Sequence, residues 1–222
     1  MKIAILLPYK ENYSKKSAGA VSIFVNDTSK LSIFKNKINI YGSTKYLDVL
    51  SRYKDIKFEK KFYQSASNEY LKNFVKQINE KKIDILEIHN RPHYIDYLNS
   101  KINCKKILYF HNDPLRMQGS TTIKDRLKLL KLVDTIVFNS YWSKSRYLID
   151  IPSNIITNKL KVIHQSTSKT KVNFKNKKKI ISFIGKLNSS KGYDIFGKAI
   201  IKILDKYKEW TAIVIGDEPR EK

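Results

Sequence analysis

Short apolar segments alternate with helix-periodic segments along most of the chain, and this alternation constrains the fold more than any other feature. It is typical of a parallel sheet with helices on its faces. The segment Lys2–Tyr9 is apolar at nearly every position, as expected of a parallel strand that is buried on both sides. Strands are predicted at residues 2–9, 38–41, 83–88, 107–110, 135–138 and 160–163, and the mixed pattern near residue 55 admits one more at 56–62. The sequence therefore predicts an α/β, Rossmann-like, doubly wound parallel sheet.

The composition changes after the last of these strands. Residues 166–177 are mostly Ser, Thr, Lys and Asn and are predicted to form a linker. We therefore expect a first domain at residues 1–165 and the start of a second Rossmann-like domain at 178–222. This second part has one strand, a short loop, one amphipathic helix and a second strand, so we expect the remainder of that domain to be missing from the chain.

The loop between the first strand and the helix of this second part contains two lysines five residues apart. Lys186 and Lys191 flank the predicted helix N-terminus, where the helix dipole disfavours cations unless an anion is bound. Backbone N–H groups at such a turn suit a phosphate. The loop has neither the three-glycine dinucleotide pattern nor a P-loop, which disfavours a nicotinamide enzyme or a P-loop kinase.

Polar side chains collect just after the predicted strands of the first domain. Ligands of open parallel sheets bind beyond the carboxyl ends of the strands, so these positions are candidates for a site. The candidate residues are Gly19, His89, Arg91, His111, Asp113 and Ser140.

Each candidate also has a purely structural interpretation. His111 could cap the turn that follows it, and His89 could bond only to the next loop. Asp113 could pair with Arg116. Glu87, inside a strand, needs a partner if it is buried, and we expect Arg91 or a lysine in that role.

The formal net charge is +24, yet only six of the 44 basic residues are arginine. A nucleic-acid surface more often uses arginine with interleaved aromatic residues, so nucleic acid is not an expected partner. The charge is equally compatible with solvated lysine and with contact to an anionic membrane or polymer.

The sequence predicts a cytoplasmic protein, because it has a single cysteine, Cys104, and no signal-like or membrane-spanning segment. Its charge is compatible with a peripheral location at the inner face of the cytoplasmic membrane. No Cys/His spacing indicates a metal site.

Several segments resemble the GT-B glycosyltransferases of family 4 (glycosyl transferases group 1), which include lipopolysaccharide and other cell-envelope enzymes. Residues 181–192, ISFIGKLNSSKG, are similar to the donor-phosphate loop of that family. Residues 85–92 (ILEIHNRP), 109–120 (YFHNDPLRMQGS) and 138–142 are similar to its strand-end motifs, and the likeness covers most of the chain in order and spacing.

The resemblance implies a GT-B enzyme that transfers a sugar from a nucleotide diphosphate sugar to a saccharide or lipid-linked acceptor, with retention and with neither metal nor cofactor. It implies that Gly185, Lys186, Lys191 and Gly19 bind the donor diphosphate and that His111 contacts the donor sugar. The acceptor side would then include His89, Arg91, Asp113 and Ser140.

The chain departs from the family pattern in three places. Lys186 stands where the family usually has arginine, residues 164–166 replace an Asn-Gly turn, and the acidic donor motif would lie beyond Lys222. We therefore expect the isolated chain to be weakly active or inert. Two alternatives remain: a nucleotide-sugar epimerase of the same fold, and a non-catalytic basic module that binds anionic membrane or polymer.

Overall fold

The computed structural model of the chain describes residues 1–57, 65–79, 82–155, 158–166, 171, 173, 175 and 177–217. The chain divides into two compact units, a first unit at Met1–Ser166 and a second unit at Thr167–Lys222. Most residues of the predicted linker lie outside the described residues, so the linker stays a prediction.

In the described residues of the first unit, seven parallel strands form a sheet in the order β3-β2-β1-β4-β5-β6-β7. The chain runs from β1 to one edge and then returns to the other side of β1, which is the Rossmann-like arrangement predicted from the sequence. The strands are β1 (Ile3–Leu6), β2 (Ile38–Gly42), β3 (Tyr53–Asp55), β4 (Ile85–His89), β5 (Lys105–Phe110), β6 (Thr135–Phe138) and β7 (Leu160–Val162).

Five α-helices within the described residues connect these strands and cover the sheet. They are α1 (Ala20–Leu31), α2 (Ala66–Asn79), α3 (Tyr94–Asn99), α4 (Ile123–Leu132) and α5 (Tyr141–Leu148). Residues of β1 alternate between two core clusters, with Ile3 and Ile5 in the cluster that contains α1 and Ala4 and Leu6 in the cluster that contains α2–α5. This division follows from right-handed crossovers, because connections that run in opposite directions from β1 place their helices on opposite faces.

The structure confirms most of the predicted strands and corrects the bounds of the one near residue 55. β6 has the predicted bounds, and Thr122 and Ser140 are N-cap residues with reciprocal capping boxes. The strand near residue 55 is β3 at Tyr53–Asp55 rather than 56–62, of which residues 58–62 lie outside the described part. Helix α1 begins after Gly19, which has no side chain to cap it.

The described part of the second unit contains two parallel strands joined by one α-helix. These elements are β8 (Ile180–Ile184), α6 (Tyr193–Lys206) and β9 (Thr211–Ile215), with Ile180 opposite Thr211 and Ile184 opposite Ile215. These elements agree with the strand, helix and second strand predicted for residues 178–222. Within the described residues of both units, no helix is both long and apolar enough to cross a membrane.

Candidate active site

A cavity of about 390 Å³ lies at the carboxyl edge of the first unit's sheet, where β1 and β4 are neighbours. The connections after these strands run in opposite directions, so this is the switch point at which open parallel sheets bind ligands. We call it the switch-point cavity; it is lined by Pro8, Glu11, Gly19, Ala20, Val21, Asn90, Arg91, His111, Asn112 and Gln165. A larger cavity of about 730 Å³ is lined by residues at the amino ends of the strands and lies away from that edge.

Four side chains beside the cavity form one hydrogen-bonded line, which we call the histidine network. Glu87 Oε1 lies 2.7 Å from His89 Nε2, and His89 Nδ1 lies 2.8 Å from His111 Nε2. At the cavity end, the amide nitrogen of Gln165 lies 2.7 Å from His111 Nδ1. The network connects a carboxylate in β4 to a side chain that follows β7.

The hydrogen-bonding groups at its two ends fix the positions of the protons. The Gln165 amide nitrogen can only donate, so His111 Nδ1 accepts and its Nε2–H donates to His89 Nδ1. His89 then carries its proton on Nε2 and donates it to the Glu87 carboxylate. Burial, reinforced by His89, lowers the pKa of His111 from 6.5 to about 3. His111 is therefore a neutral imidazole with an acceptor nitrogen at the cavity.

Aromatic rings and two amides hold the His111 residue in place. The rings of Phe24 and His111 form a T-shaped pair with a centroid distance of 5.0 Å, and Tyr109 stacks on His89 at 4.8 Å. The backbone N–H of His111 donates to Asn90 Oδ1 at 2.8 Å, and its carbonyl accepts from Asn139 Nδ2 at 2.8 Å. A ring held from several sides presents its lone pair in one fixed direction, as a site residue requires.

Gly19 lines the cavity, and the group beside it is a carboxylate of the chain itself. A Cβ at Gly19 would collide with Oε1 of Glu11. That oxygen accepts from the backbone N–H and the hydroxyl of Ser22, at 3.3 and 3.2 Å, at the N-terminus of α1. Glu11 thus occupies the helix end at which we expected a phosphate, and a phosphate would bind there only after Glu11 moved.

Of the acceptor-side candidates, Arg91 lines the cavity and His89 is buried behind it. Arg91 lines the cavity, and its guanidinium donates to the backbone carbonyl of Asn90 at 2.8 Å. The expected pair of Glu87 with Arg91 or a lysine is wrong, because the carboxylate of Glu87 pairs with His89. His89 is fully buried behind His111, so it acts on the cavity through His111 and does not contact a ligand directly.

Two further candidates lie outside the cavity lining. Asp113 caps a short 3₁₀ turn by accepting from the Leu115 N–H, and its carboxylate pairs with Arg146 at 3.1 Å. Its distance to the predicted partner Arg116 is longer, at 3.9 Å. Hydrogen bonds to these groups and the two arginine charges lower the pKa of Asp113 despite its burial. Ser140 caps α5 through a reciprocal bond with Ser143.

Sequence reasoning missed several residues of the site. Asn90, Asn139 and Gln165 position His111, yet no local pattern distinguishes them from ordinary loop residues. The pairing of Glu87 with His89 was also missed, although it had a signal: residues two apart in a strand lie on the same face.

The phosphate-loop candidates lie together in the second unit. Gly185 follows β8, and a Cβ placed on it would lie 3.9 Å from the Cβ of Lys191. Lys186 and Lys191 are both exposed, and within the described residues neither forms an ion pair. Helix α6 begins after Gly192, a left-handed residue (φ 73°) that provides no side-chain cap. The loop therefore combines two exposed cations with an uncapped helix N-terminus.

Among the described residues, no group of three or more His, Cys, Asp or Glu side chains is arranged to hold a metal ion.

The fold of the chain is of the Rossmann-like, GT-B type. It is similar to the apo form of the lipopolysaccharide outer core galactosyltransferase WaaB (TM-score 0.61, 15% identity) and to Anabaena Alr3699/HepE in complex with UDP and glucose (TM-score 0.69, 12% identity). In both comparisons 99% of this chain is covered, and the chain spans 62% of the other structure's length. A UDP-N-acetylglucosamine 2-epimerase is also similar, with a TM-score of 0.52, 11% identity and coverage of 99% of this chain and 69% of that one. The sequence matches no protein-family model and none of the curated proteins compared with it.

Proposed function

We propose that the chain belongs to a glycosyltransferase that moves a sugar from a nucleotide diphosphate sugar to a saccharide or lipid-linked acceptor. The observation that supports this most strongly is His111, held neutral at the switch-point cavity with one ring nitrogen as an acceptor. Such a nitrogen suits a sugar hydroxyl, which donates to it in place of the Gln165 amide. A charged imidazole would have no acceptor.

The second unit supplies the group that a departing diphosphate needs. Negative charge develops on the diphosphate as the sugar leaves, and fixed cations with helix N–H groups stabilise that charge. Lys186, Lys191 and the uncapped N-terminus of α6 provide both kinds of donor, next to Gly185. In our proposal the diphosphate binds this loop, because Glu11 occupies the N-terminus of α1 beside Gly19.

The finer assignment follows from the resemblance of the sequence motifs. We propose a hexosyltransferase of family 4 that acts with retention and without a metal, in cell-envelope polysaccharide or lipopolysaccharide synthesis. The cytoplasm is its proposed location, with peripheral contact to the inner face of the membrane. Arg91 is the acceptor-side residue that the cavity geometry favours, because it is the one of the four candidates in the lining.

A titration of the chain with UDP-glucose, GDP-mannose and ADP-glucose, followed by calorimetry, tests the proposal. One donor should bind, and Lys186→Gln with Lys191→Gln should weaken it at least about ten-fold, because hydrogen bonds to charged groups contribute about 1.5–3 kcal/mol each. The matched control is Lys198→Gln with Lys202→Gln, which removes the same charge from exposed positions of α6. Absence of binding by every donor, or an equal loss in both pairs, would refute the proposal.

The similar epimerase structure makes epimerisation the second candidate. Proton NMR of the bound donor after incubation separates the two activities. An inverted ring carbon on an intact nucleotide sugar indicates an epimerase, whereas release of the nucleoside diphosphate together with attachment of the sugar to an added saccharide acceptor indicates transfer.

A further inference from the structure

The carboxylate of Glu11 is the acidic group among the described residues that line the switch-point cavity, and no ligand has been assigned to it so far. Glu11 is half-buried in the loop between β1 and α1, and within the described residues it forms no ion pair. Its Oε1 accepts from the N–H and the hydroxyl of Ser22, which fixes the direction of the side chain. Its Oε2 forms no hydrogen bond with any described residue. Because a carboxylate can accept about four hydrogen bonds, Glu11 retains the capacity to bind a ligand.

The groups around Glu11 define the chemistry of that ligand. A carboxylate only accepts hydrogen bonds, and the Nδ1 atom of His111 in the same cavity is also an acceptor, so the ligand must carry donors. The charge of Arg91 balances that of Glu11, and the neutral His111 adds none, so the lining has no net charge. The cavity volume of about 390 Å³ lies within the range of small-molecule pockets, about 300–1,000 Å³. A neutral molecule with several hydroxyl groups, such as a sugar, meets all these conditions.

Gly19 leaves the space that the Glu11 carboxylate occupies. The backbone of Gly19 is extended (φ −72°, ψ 165°), a conformation that any residue can adopt, so the backbone does not require a glycine there. A Cβ at this position would instead collide with Oε1 of Glu11. A residue larger than glycine would therefore push the carboxylate out of its present position beside the cavity.

We propose that Glu11 binds the acceptor saccharide by accepting hydrogen bonds from its hydroxyl groups, and that Gly19 provides the room for this carboxylate. The inference rests on the proposed transfer function. The acceptor is the substrate that fits, because the negative charge of Glu11 repels the diphosphate of the donor, which our proposal assigns to Lys186 and Lys191.

Glu11→Gln tests the carboxylate while keeping an oxygen that can accept from Ser22. Glucose, galactose and N-acetylglucosamine are the probes, and saturation-transfer NMR on the whole chain measures their affinities. At least one sugar should bind the wild-type chain, and Glu11→Gln should weaken it about ten-fold, because a hydrogen bond to a charged acceptor is stronger than one to an amide.

The matched control is Asp27→Asn, which removes the same charge from an exposed residue of α1 outside the cavity lining. It should change the affinity less than about two-fold, since a charge that is exposed to solvent is screened. Absence of binding by all three sugars, unchanged affinity in Glu11→Gln, or equal losses in Glu11→Gln and Asp27→Asn would overturn the inference.

Gly19→Ala tests the position of the carboxylate without changing its charge. The new Cβ should displace Glu11, whose flexible side chain can move while the fold is kept, and the affinity for the same sugar should again fall about ten-fold. Gly197→Ala is the matched control, because a Cβ at Gly197 in α6 meets no atom within 4 Å. Sugar affinity in Gly19→Ala that equals the affinity of this control would overturn the role of Gly19 and the assigned position of Glu11.

A parallel titration with UDP-glucose, GDP-mannose and ADP-glucose separates acceptor binding from donor binding. A donor that binds the wild-type chain should bind Glu11→Gln with less than about a two-fold change in affinity, because its diphosphate is assigned to the second unit. Loss of donor affinity without loss of sugar affinity would place Glu11 on the donor and overturn its assignment to the acceptor. If no nucleotide sugar binds but the sugars behave as expected, the transfer function fails while the sugar site at Glu11 stands.

Discussion

His111 makes the stability of the first unit depend on pH in a way that can be measured separately from activity. The change we consider is His111→Gln, which places an amide nitrogen close to the position of Nε2. That amide can still donate to His89 Nδ1, so the variant preserves the bond that is 2.8 Å long in the wild-type protein. What it removes is the ability of residue 111 to take up a proton.

The sign and size of the effect follow from the lowered pKa. In the unfolded chain His111 binds a proton near pH 6.5, whereas in the folded protein it does so only near pH 3. The folded state therefore binds fewer protons between these values, and stability falls as the pH falls from 6.5 towards 3. Between pH 7 and pH 5 the wild-type protein should lose about 2 kcal/mol more than the variant.

Urea denaturation at pH 7 and pH 5 measures this difference. Trp142 lies in α5 of the first unit, so its fluorescence in a Trp210→Phe background reports that unit without the second. The lowered pKa of His93 is common to both proteins and cancels in the comparison. The reasoning is refuted if both proteins lose the same stability, or if the NMR signal of the His111 ring titrates near pH 6.5.

Three further predictions concern the network and two glycines. Glu87→Leu removes the acceptor of the buried His89 Nε2–H and should lower the free energy of unfolding of the first unit, measured in urea, by about 2 kcal/mol. Glu87→Gln keeps an acceptor and should lower it by less than about 1 kcal/mol. Equal losses in the two variants would contradict the assigned proton positions. Gly119→Ala should lower the free energy of unfolding by about 2 kcal/mol or more, because Gly119 has φ 87° and a Cβ there would lie 2.6 Å from the backbone nitrogen of His93. An unchanged melting temperature would argue against this close approach. Gly216→Ala should increase amide hydrogen exchange in β8 and β9 but not in β1, because its Cβ would collide with a backbone carbonyl in the loop after β8. Unchanged exchange in β8 would show that the second unit accommodates the Cβ without loosening its strands.

The elements of the fold were predictable because their signals are local. A buried parallel strand needs an apolar run, and an amphipathic helix needs apolar residues three and four apart, so each can be recognised within its own segment. The same holds for the caps at Thr122 and Ser140. β3 was placed a few residues too late, because an edge strand of three residues, none of them fully buried, has almost no pattern to detect.

The sequence by itself determined that polar residues follow the strands of a Rossmann-like sheet, because the strand ends are set by local periodicity. Only the tertiary structure decided which of those residues meet. The register of β4 and β5 puts His89 opposite Tyr109, two residues before His111, and Gln165 reaches the same ring from beyond β7. The tertiary structure also paired Asp113 with Arg146 and placed Glu11 against Gly19. Distances between side chains from different strands depend on strand order and register. These are properties of the whole sheet, so they cannot be predicted from any single segment of the sequence.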